Sequence, residues 1–433
     1  MHMPPDPTGR PILASRATAH QDLWRAVAAD SWPVPLPLLP PGTALVGGAV
    51  RDGLIGRLGE RPDLDFVVPG DGLALARQLA RRLGGTAVEL DQERGIGRLV
   101  LEGWTIDLAR QVGDTLSADL HRRDYTVNAM ALRLPLGDEA LALVDPLGGL
   151  ADLESGQLRA IAEANLLEDP LRLLRGVRLA AEMGFTITEP TWAWIGRHRA
   201  RLSSVAGERV LAELLRLVGC ANGAWGVELL TRCHLLDAWS TKPAEAPRPG
   251  TAHLTPEQAR LRGLTEEEWS EALPIARLAA LLDEGALEAL RASQRLRRRC
   301  RHLRRWRQRL AAADRLEGGG FEALPEAERL ELHRQLDGDL PALLLELPPP
   351  VANAALRRWR DPDDPLFHPR APLDGGELQR RLGLFPGRQL GLLLEHLTAE
   401  RAFGRIPRDD ASHEQSLKAA RHWLDSTGVP RHD

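Results

Sequence analysis

The sequence predicts an α+β protein, with a mixed-sheet head near the N-terminus followed by an all-helical remainder. Three observations carry this. Between Ala44 and about Leu134, short apolar strand-like runs alternate with a few helical periods. After Pro146-Leu147-Gly148-Gly149 such runs largely give way to long Leu, Ala and Arg-rich stretches with helical spacing. The chain has 433 residues, 43% of them hydrophobic, which is enough for one or more ordinary cores and excludes a wholly disordered protein.

Residues 1–19 read as a polar, Pro-containing lead-in, and a short helix follows at about Gln21 to Ala29. Prolines make Trp32 to Pro41 irregular. Ala44 to Val46 is a buried strand ending at Gly47-Gly48, and Ala49 to Leu58 is the helix behind it. Leu64 to Val68 is a second strand. Leu73 to Leu83 is a helix stopped by Gly84-Gly85. Ile96 to Leu101 and Trp104 to Leu108 flank Glu102-Gly103, a two-residue hairpin turn. Beyond residue 150, helices are expected at Leu171 to Met183, Ala206 to Val218, Ile275 to Leu281 and Ala289 to Ala313. The glycines at 318–320 and the prolines at 348–350 punctuate a part that stays helical to about Leu424. The expected divisions are a lead-in (1–19), a head (20–150), a helical neck (151–225), a helical body (226–345) and a helical tail (346–433).

Composition narrows the classes. Lys plus Arg number 56 against 60 Asp plus Glu, so the net charge of −4 makes no general claim to nucleic acid. Lys242 and Lys418 are the only lysines and neither follows a glycine, which excludes a GxxxxGK[ST] phosphate loop. Three cysteines without a CxxC argue against a disulfide scaffold and a structural zinc site, and for a reducing compartment. With no signal peptide and no apolar run of membrane-spanning length, the expected location is the cytoplasm, away from membrane. No protein partner is predicted.

Asp63 and Asp65 open a strand at i and i+2, which points both carboxylates to one face. Asp337-Gly338-Asp339 and Asp361-Pro362-Asp363 repeat the pattern, but neither opens an apolar strand. Gly47-Gly48, just before, lets backbone N–H groups approach a phosphate at a helix N-terminus. Asp107 on the hairpin is a candidate third acid. Three carboxylates around two Mg²⁺ ions would serve phosphoryl or nucleotidyl transfer. The spacing equally allows strand-ending carboxylates that bind water.

Together these motifs resemble the class II tRNA nucleotidyltransferase and bacterial poly(A) polymerase family. The match runs, in family order, through Val46 to Asp52, Pro62 to Phe66, Arg122 to Ala131, Asp145 to Leu150 with Asp152-Leu153, and Glu168 to Arg172 with Arg175 and Arg178. It is strong over about residues 40 to 220, with a weaker echo at Leu373 to Gly376 and Pro386-Gly387. The resemblance implies that Asp63 and Asp65 bind the catalytic Mg²⁺ ions, with Asp107 as third carboxylate. It implies that Gly47, Gly48 and Arg51 hold the triphosphate, and that Asp124 contacts the ribose 2′-hydroxyl with Arg123 and Asn128 near the sugar and phosphates. Arg122 and Arg123 also read as a solvated pair, and Asn128 as a turn or cap residue.

Asp169 before Pro170 reads as a helix N-cap with Arg172 as its helical neighbour. The resemblance adds that Asp169 and Arg172, with Arg175 and Arg178 nearby, read the base edge of an incoming CTP or ATP. The implied activity extends the tRNA 3′ end with C, and with A as a further possibility, releasing pyrophosphate. Poly(A) addition and a non-catalytic RNA-binding relative are the alternatives. Only 11 residues, Gln111 to His121, lie between Arg110 and Arg122, where CCA-adding relatives carry a longer flexible segment, and this shortening resembles the CC-adding branch.

Arg291 to Leu310 holds ten arginines and no acid, so the rest of the chain carries about −14. Leu296, Cys300, Leu303 and Leu310 recur at helical spacing, which turns most arginines outward. Arg298, Arg301 and Arg305 are candidate contacts to an RNA backbone. A solvated face, or pairing with the Glu-rich stretch before it, would use the same arginines.

Overall fold

A computed structural model describes residues 18–239, 253–312, 321, 324–408 and 412–427. The expected lead-in as far as residue 17 and the glycines at 318–320 lie outside the described residues. The chain divides into two compact units between Ala238 and Trp239.

The first unit opens with α1 (Ala19–Val27) and is built on a seven-stranded sheet, in the order β3-β4-β5-β2-β1-β6-β7. Its strands are β1 (Ala44–Val46), β2 (Leu64–Val68), β3 (Thr86–Asp91), β4 (Ile96–Leu101), β5 (Trp104–Arg110), β6 (Ala131–Arg133) and β7 (Ala142–Val144). Only β2 and β5 pair in parallel. The β4–β5 turn sits where expected, with Glu102 at φ 53° and Gly103 at φ 80°, the left-handed pair that a two-residue hairpin demands. α2 (Gly48–Leu54) is shorter than its periodicity suggests, because Gly56 turns left-handed at φ 66° just after it. α3 (Gly72–Leu83) is capped by Asp71, which accepts from the Ala74 N–H at 2.9 Å, and it ends at Gly84 with φ 80°. It packs on β3, β4 and β5, where Leu99, Leu101, Ile106 and Leu108 are buried.

Between Arg110 and Arg122 the chain forms α4 (Leu116–His121), with Thr115 as its cap. Leu116 and Leu120 join Ala44, Val46, Val67, Ala129 and Ala131 in one buried cluster. The rest of the unit is mainly helical: α5 (Gly149–Ser155), α6 (Glu163–Glu168), α7 (Leu171–Met183), α8 (Glu189–His198), α9 (Gly207–Gly219) and α10 (Gly223–Arg232). Two short strands, β8 (Gln157–Leu158) and β9 (Thr186–Ile187), pair in parallel among them. The division expected at 225/226 falls inside α10.

The described residues of the second unit form helices, turns and short 3₁₀ segments, with no strand among them. In order these are α11 (Pro256–Leu261), α12 (Glu266–Leu281), α13 (Glu284–Ala289), α14 (Gln294–Ala312), α15 (Glu326–Leu336), α16 (Leu340–Leu344), α17 (Pro349–Trp359), α18 (Gly375–Leu382), α19 (Arg388–Ala402) and α20 (Ser412–Ser426). α12 begins nine residues before the expected Ile275, at a Thr265/Glu268 capping box, and continues through Pro274. The single helix expected at Ala289 to Ala313 is broken by Arg291 at φ 55°. On α14 the expected stripe is buried at Cys300, Leu303 and Leu310 and half-buried at Leu296, and Trp306 is buried beside it. Among the described residues no helix is long and apolar enough to cross a membrane.

Candidate active site

The parallel β2–β5 pairing sets Asp65 opposite Asp107, and Asp63, just before the strand, lies near enough for its charge to act on Asp65. Asp107 accepts two hydrogen bonds from Arg98, from Nε at 2.7 Å and Nη2 at 2.9 Å. Burial, then the charges of Asp107 and Asp63, push the Asp65 carboxyl up to about 6, against the pull of Arg123 and Arg175. Negative charge is thus crowded at one point, and an all-carboxylate donor set suits a hard divalent cation. Among the described residues no three His, Cys, Asp or Glu side chains stand close enough together to hold an ion. The donors that fit one are Asp63 and Asp65, with Asp107 tied to Arg98.

β1 delivers Gly47 beside this point. Its φ is 72°, a conformation that favours glycine, and its Cα stands beside the site, where a Cβ would lie 3.4 Å from Asp65 Oδ2 and 3.6 Å from Arg123 Nη1. On α2, Arg51 donates Nε and Nη2 to Asp52, both at 2.8 Å, and Nη1 to Asn128 Oδ1 at 2.6 Å. Asn128 Nδ2 donates to Asp124 Oδ1 at 3.1 Å, which also accepts the Tyr125 N–H at 2.8 Å. Arg175 Nε donates to Asp124 Oδ2 at 2.6 Å. Burial alone would raise the Asp124 carboxyl, but Arg175, Asn128 and the Tyr125 N–H outweigh it and hold it below its ordinary value. Arg51, Asn128, Asp124 and Arg175 therefore form one hydrogen-bonded string from α2 to α7.

α7 is seated by a second contact. The Tyr125 hydroxyl donates to the Arg172 carbonyl at 2.7 Å, and a Cβ at Gly176 would come within 2.0 Å of that hydroxyl oxygen. At the start of α7, Asp169 Oδ1 accepts the Leu171 N–H at 3.2 Å, which is the expected capping role. Its Oδ2 accepts from Arg209 of α9 at 2.8 Å. Arg172 donates Nη1 to the carbonyls of Arg122 and Asn165, at 3.1 and 2.8 Å, and its Nε and Nη2 have no partner among the described residues. Arg123 donates to Asp119 at 3.2 Å and Arg122 to Glu168 at 2.9 Å. Arg178 is buried behind Arg175, with its side chain only 2% exposed and its guanidinium held by Glu182 and Glu213. That position fastens α7 to α9.

Arg98, Asp119, Asn165, Arg209 and Glu213 were not singled out from the sequence. Arg98 alone had a usable signal. A two-residue turn at Glu102-Gly103 pairs Leu101 with Trp104, and counting back places Arg98 opposite Asp107.

On α14, seven of the nine arginines are ion-paired within the second unit. Arg301 pairs with Glu284 at 2.8 Å and Arg305 with Glu331 at 2.7 Å. Arg298 is exposed and has no partner among the described residues. Intramolecular pairing, with Glu284 and Glu288 before the helix and further acids after it, absorbs most of the charge that the sequence turns outward.

The model of the poly(A) polymerase head domain matches residues 43–159, and that of a probable RNA and SrmB-binding site of polymerase A matches 184–240. The CC-adding tRNA nucleotidyltransferase of Geobacter sulfurreducens is 34% identical over 404 residues, covering 84% of this chain and 89% of that protein. The chain belongs to the tRNA nucleotidyltransferase family. Two other tRNA nucleotidyltransferases match over shorter spans. The CC-adding protein of Synechocystis is 45% identical over 44% of this chain and 45% of its own length. The A-adding protein of Deinococcus radiodurans is 43% identical over 47% of this chain and 46% of its own. The chain thus spans under half the length of either. Among solved structures, the Thermotoga maritima CCA-adding enzyme complexed with tRNA has a TM-score of 0.65, with 24% identity, over 88% of this chain and 91% of that one. That likeness shows that the tRNA nucleotidyltransferase fold is shared.

Proposed function

We propose that this chain adds C residues to the 3′ end of tRNA from CTP, releasing pyrophosphate, and stops before the final A. The observation that carries the choice of C is the link between β5 and Arg122. It is a capped helix whose Leu116 and Leu120 are locked into the sheet core, in place of a long free segment. The near full-length similarity to a CC-adding relative supports it.

The residues divide the work. Asp63 and Asp65 would hold Mg²⁺, which when bound activates a hydroxyl nucleophile and neutralises triphosphate charge. Gly47 and Gly48 bring backbone to the phosphates, with Arg51 and Arg123 as their cations. Asp124, kept ionised, accepts from the ribose 2′-hydroxyl, and Asn128 and Arg175 hold it in place. Asp169 accepts from the exocyclic amine of C, and the free edge of Arg172 donates to the neighbouring ring nitrogen. U and G carry a carbonyl where the amine should be and leave the carboxylate unpaired. Arg209 competes for the same Asp169 oxygen, so base entry requires that this exposed ion pair give way. Residues 20–150 serve as the catalytic head, 151–225 as the selecting neck, and the body, 226–345, holds RNA, with Arg298 the phosphate contact best supported by its free charge. The tRNA substrate and the three free cysteines fit the cytoplasm.

The test uses tRNA transcripts ending at the discriminator base or at CC, each given one labelled nucleotide. Two C residues should join the first and no A the second. Efficient A addition to the CC end would overturn the C-only reading.

A further inference from the structure

The face of the sheet that carries the carboxylates does not end with them. Following the register outward from Asp65, the next strands place Asp107, then Arg98, then Val88 in one row. The neighbouring row on the same face is Thr105, Val100 and Thr86. Alternate residues of β4 and β5 are buried under α3, yet Val88, Leu90 and Val100 are 41%, 46% and 40% exposed. Large aliphatic side chains on an edge strand are a liability unless something covers them. Arg98 lies directly across from Val88 and two residues from Val100, with its side chain 40% exposed, and Leu90 sits at the irregularity between Glu89 and Asp91 beside them. Its Nε and Nη2 hold Asp107, and its Nη1 has no partner among the described residues.

Everything placed to grip the nucleotide lies on the other flank of Asp65. Gly47 and Arg123 adjoin it there, and β1, α2 and the Asp124 string follow. Nucleotidyl transfer sets the attacking and leaving oxygens roughly in line across phosphorus. With the triphosphate on the β1 side, the attacking hydroxyl must arrive from the β4–β3 side.

We propose that the exposed face of β3 to β5 seats the 3′-terminal nucleotide of the RNA, and this rests on the nucleotidyl transfer reading above. Val88, Leu90 and Val100 lie under its sugar and base, and the free N–H of Arg98 meets its phosphodiester. Aliphatic side chains read no base edge, so the seat accepts whichever base ends the chain. A primer that ends first in the discriminator base and then in C needs that tolerance.

The experiment uses the full chain and a tRNA transcript lacking CCA with 4-thiouridine as its last nucleotide. Irradiation should cross-link it to peptides within residues 86–107, and a cross-link only elsewhere would overturn the proposal. In parallel, the double variant Val88→Glu, Leu90→Glu should raise KM for tRNA about tenfold and leave KM for CTP within about twofold. An unchanged tRNA KM, including one accompanied by a changed oligomeric state, would reassign the face to a protein contact and overturn the proposal. A parent enzyme that transfers no C at all sinks the functional reading instead, and this is scored separately from the cross-link.

Discussion

Asp65 and Asp107 face one another across the only parallel pairing in the seven-stranded sheet, and this places two like charges side by side. Burial and that neighbour lift Asp65 to about 6 from an ordinary value of 3.8. The resulting stability is fully present below pH 3.8 and lost as pH rises through about 6. Asp65→Asn should therefore stabilise the metal-free protein at pH 8 by about 1–2 kcal/mol and have no such effect at pH 3.5, while abolishing nucleotide transfer. Thermal unfolding in EDTA at the two pH values, with a transfer assay, checks both halves.

Base choice should follow the chemistry of Asp169. Asp169→Asn supplies an amide donor where the carboxylate only accepts, so the preference for CTP over UTP in kcat/KM should fall by about a hundredfold. Single-nucleotide incorporation with each triphosphate measures it, and an unchanged ratio would remove Asp169 from base reading.

Gly176 is required by the tyrosine it faces. Gly176→Ala drives a methyl group into the Tyr125 hydroxyl and should cost about 3 kcal/mol or more, whereas Tyr125→Phe loses one hydrogen bond and about 1 kcal/mol. Urea midpoints of the two variants should rank in that order.

His333 gives the second unit its acid sensitivity. The ring is 1% exposed, lies with its centroid 4.1 Å from that of Phe367 at a tilt of 38°, and neither nitrogen has a hydrogen-bond partner among the described residues. Burial, then the Arg358 charge, pushes it down to about 3 from 6.5. The folded form resists a proton that the unfolded chain accepts, so stability is present above pH 6.5 and lost as pH falls toward 3. His333→Leu should abolish about 2–3 kcal/mol of the loss between pH 7 and 4.5, read from urea midpoints at each pH.

The α14 arginines should not behave alike. Arg298→Glu should weaken tRNA binding and lower its salt slope by about one or more, whereas Arg301→Gln and Arg305→Gln, which only release Glu284 and Glu331, should leave both nearly unchanged. Filter binding across a salt series separates the two groups.

The sequence shows elements well where local chemistry is self-sufficient. Leu64 to Val68 and Leu171 to Met183 fall at their expected bounds, because an apolar run and a Pro-to-Gly frame need no distant partner. β3 escaped notice because an edge strand need not be apolar on both faces, and Thr86 to Asp91 is mostly exposed. α4 is too short for a period to register. Within the site, Asp63, Asp65, Arg51, Asp124 and Asn128 announce themselves by motif. Their supports do not, because the Asp169 to Arg209 and Arg178 to Glu213 pairs join helices 35 to 40 residues apart. Helical spacing says which face a residue occupies but not what it meets. For the same reason the basic run overstated its free charge, since Asp339, Glu331, Glu346 and Glu328 lie later in the chain.

The string from Arg51 through Asn128 and Asp124 to Arg175 continues loosely to Glu213, at 3.9 Å, and thence to Arg178 and Glu182. Apart from Asn128, its members alternate in sign, so each charge is the counter-ion of the next. Deleting one does not subtract a single contact; it strands a neighbour in the interior with nothing opposite. Substitutions along it should therefore be strongly epistatic, with Arg175→Ala far worse alone than beside Asp124→Asn. Descendants of this gene would find it easier to change two members together than either one.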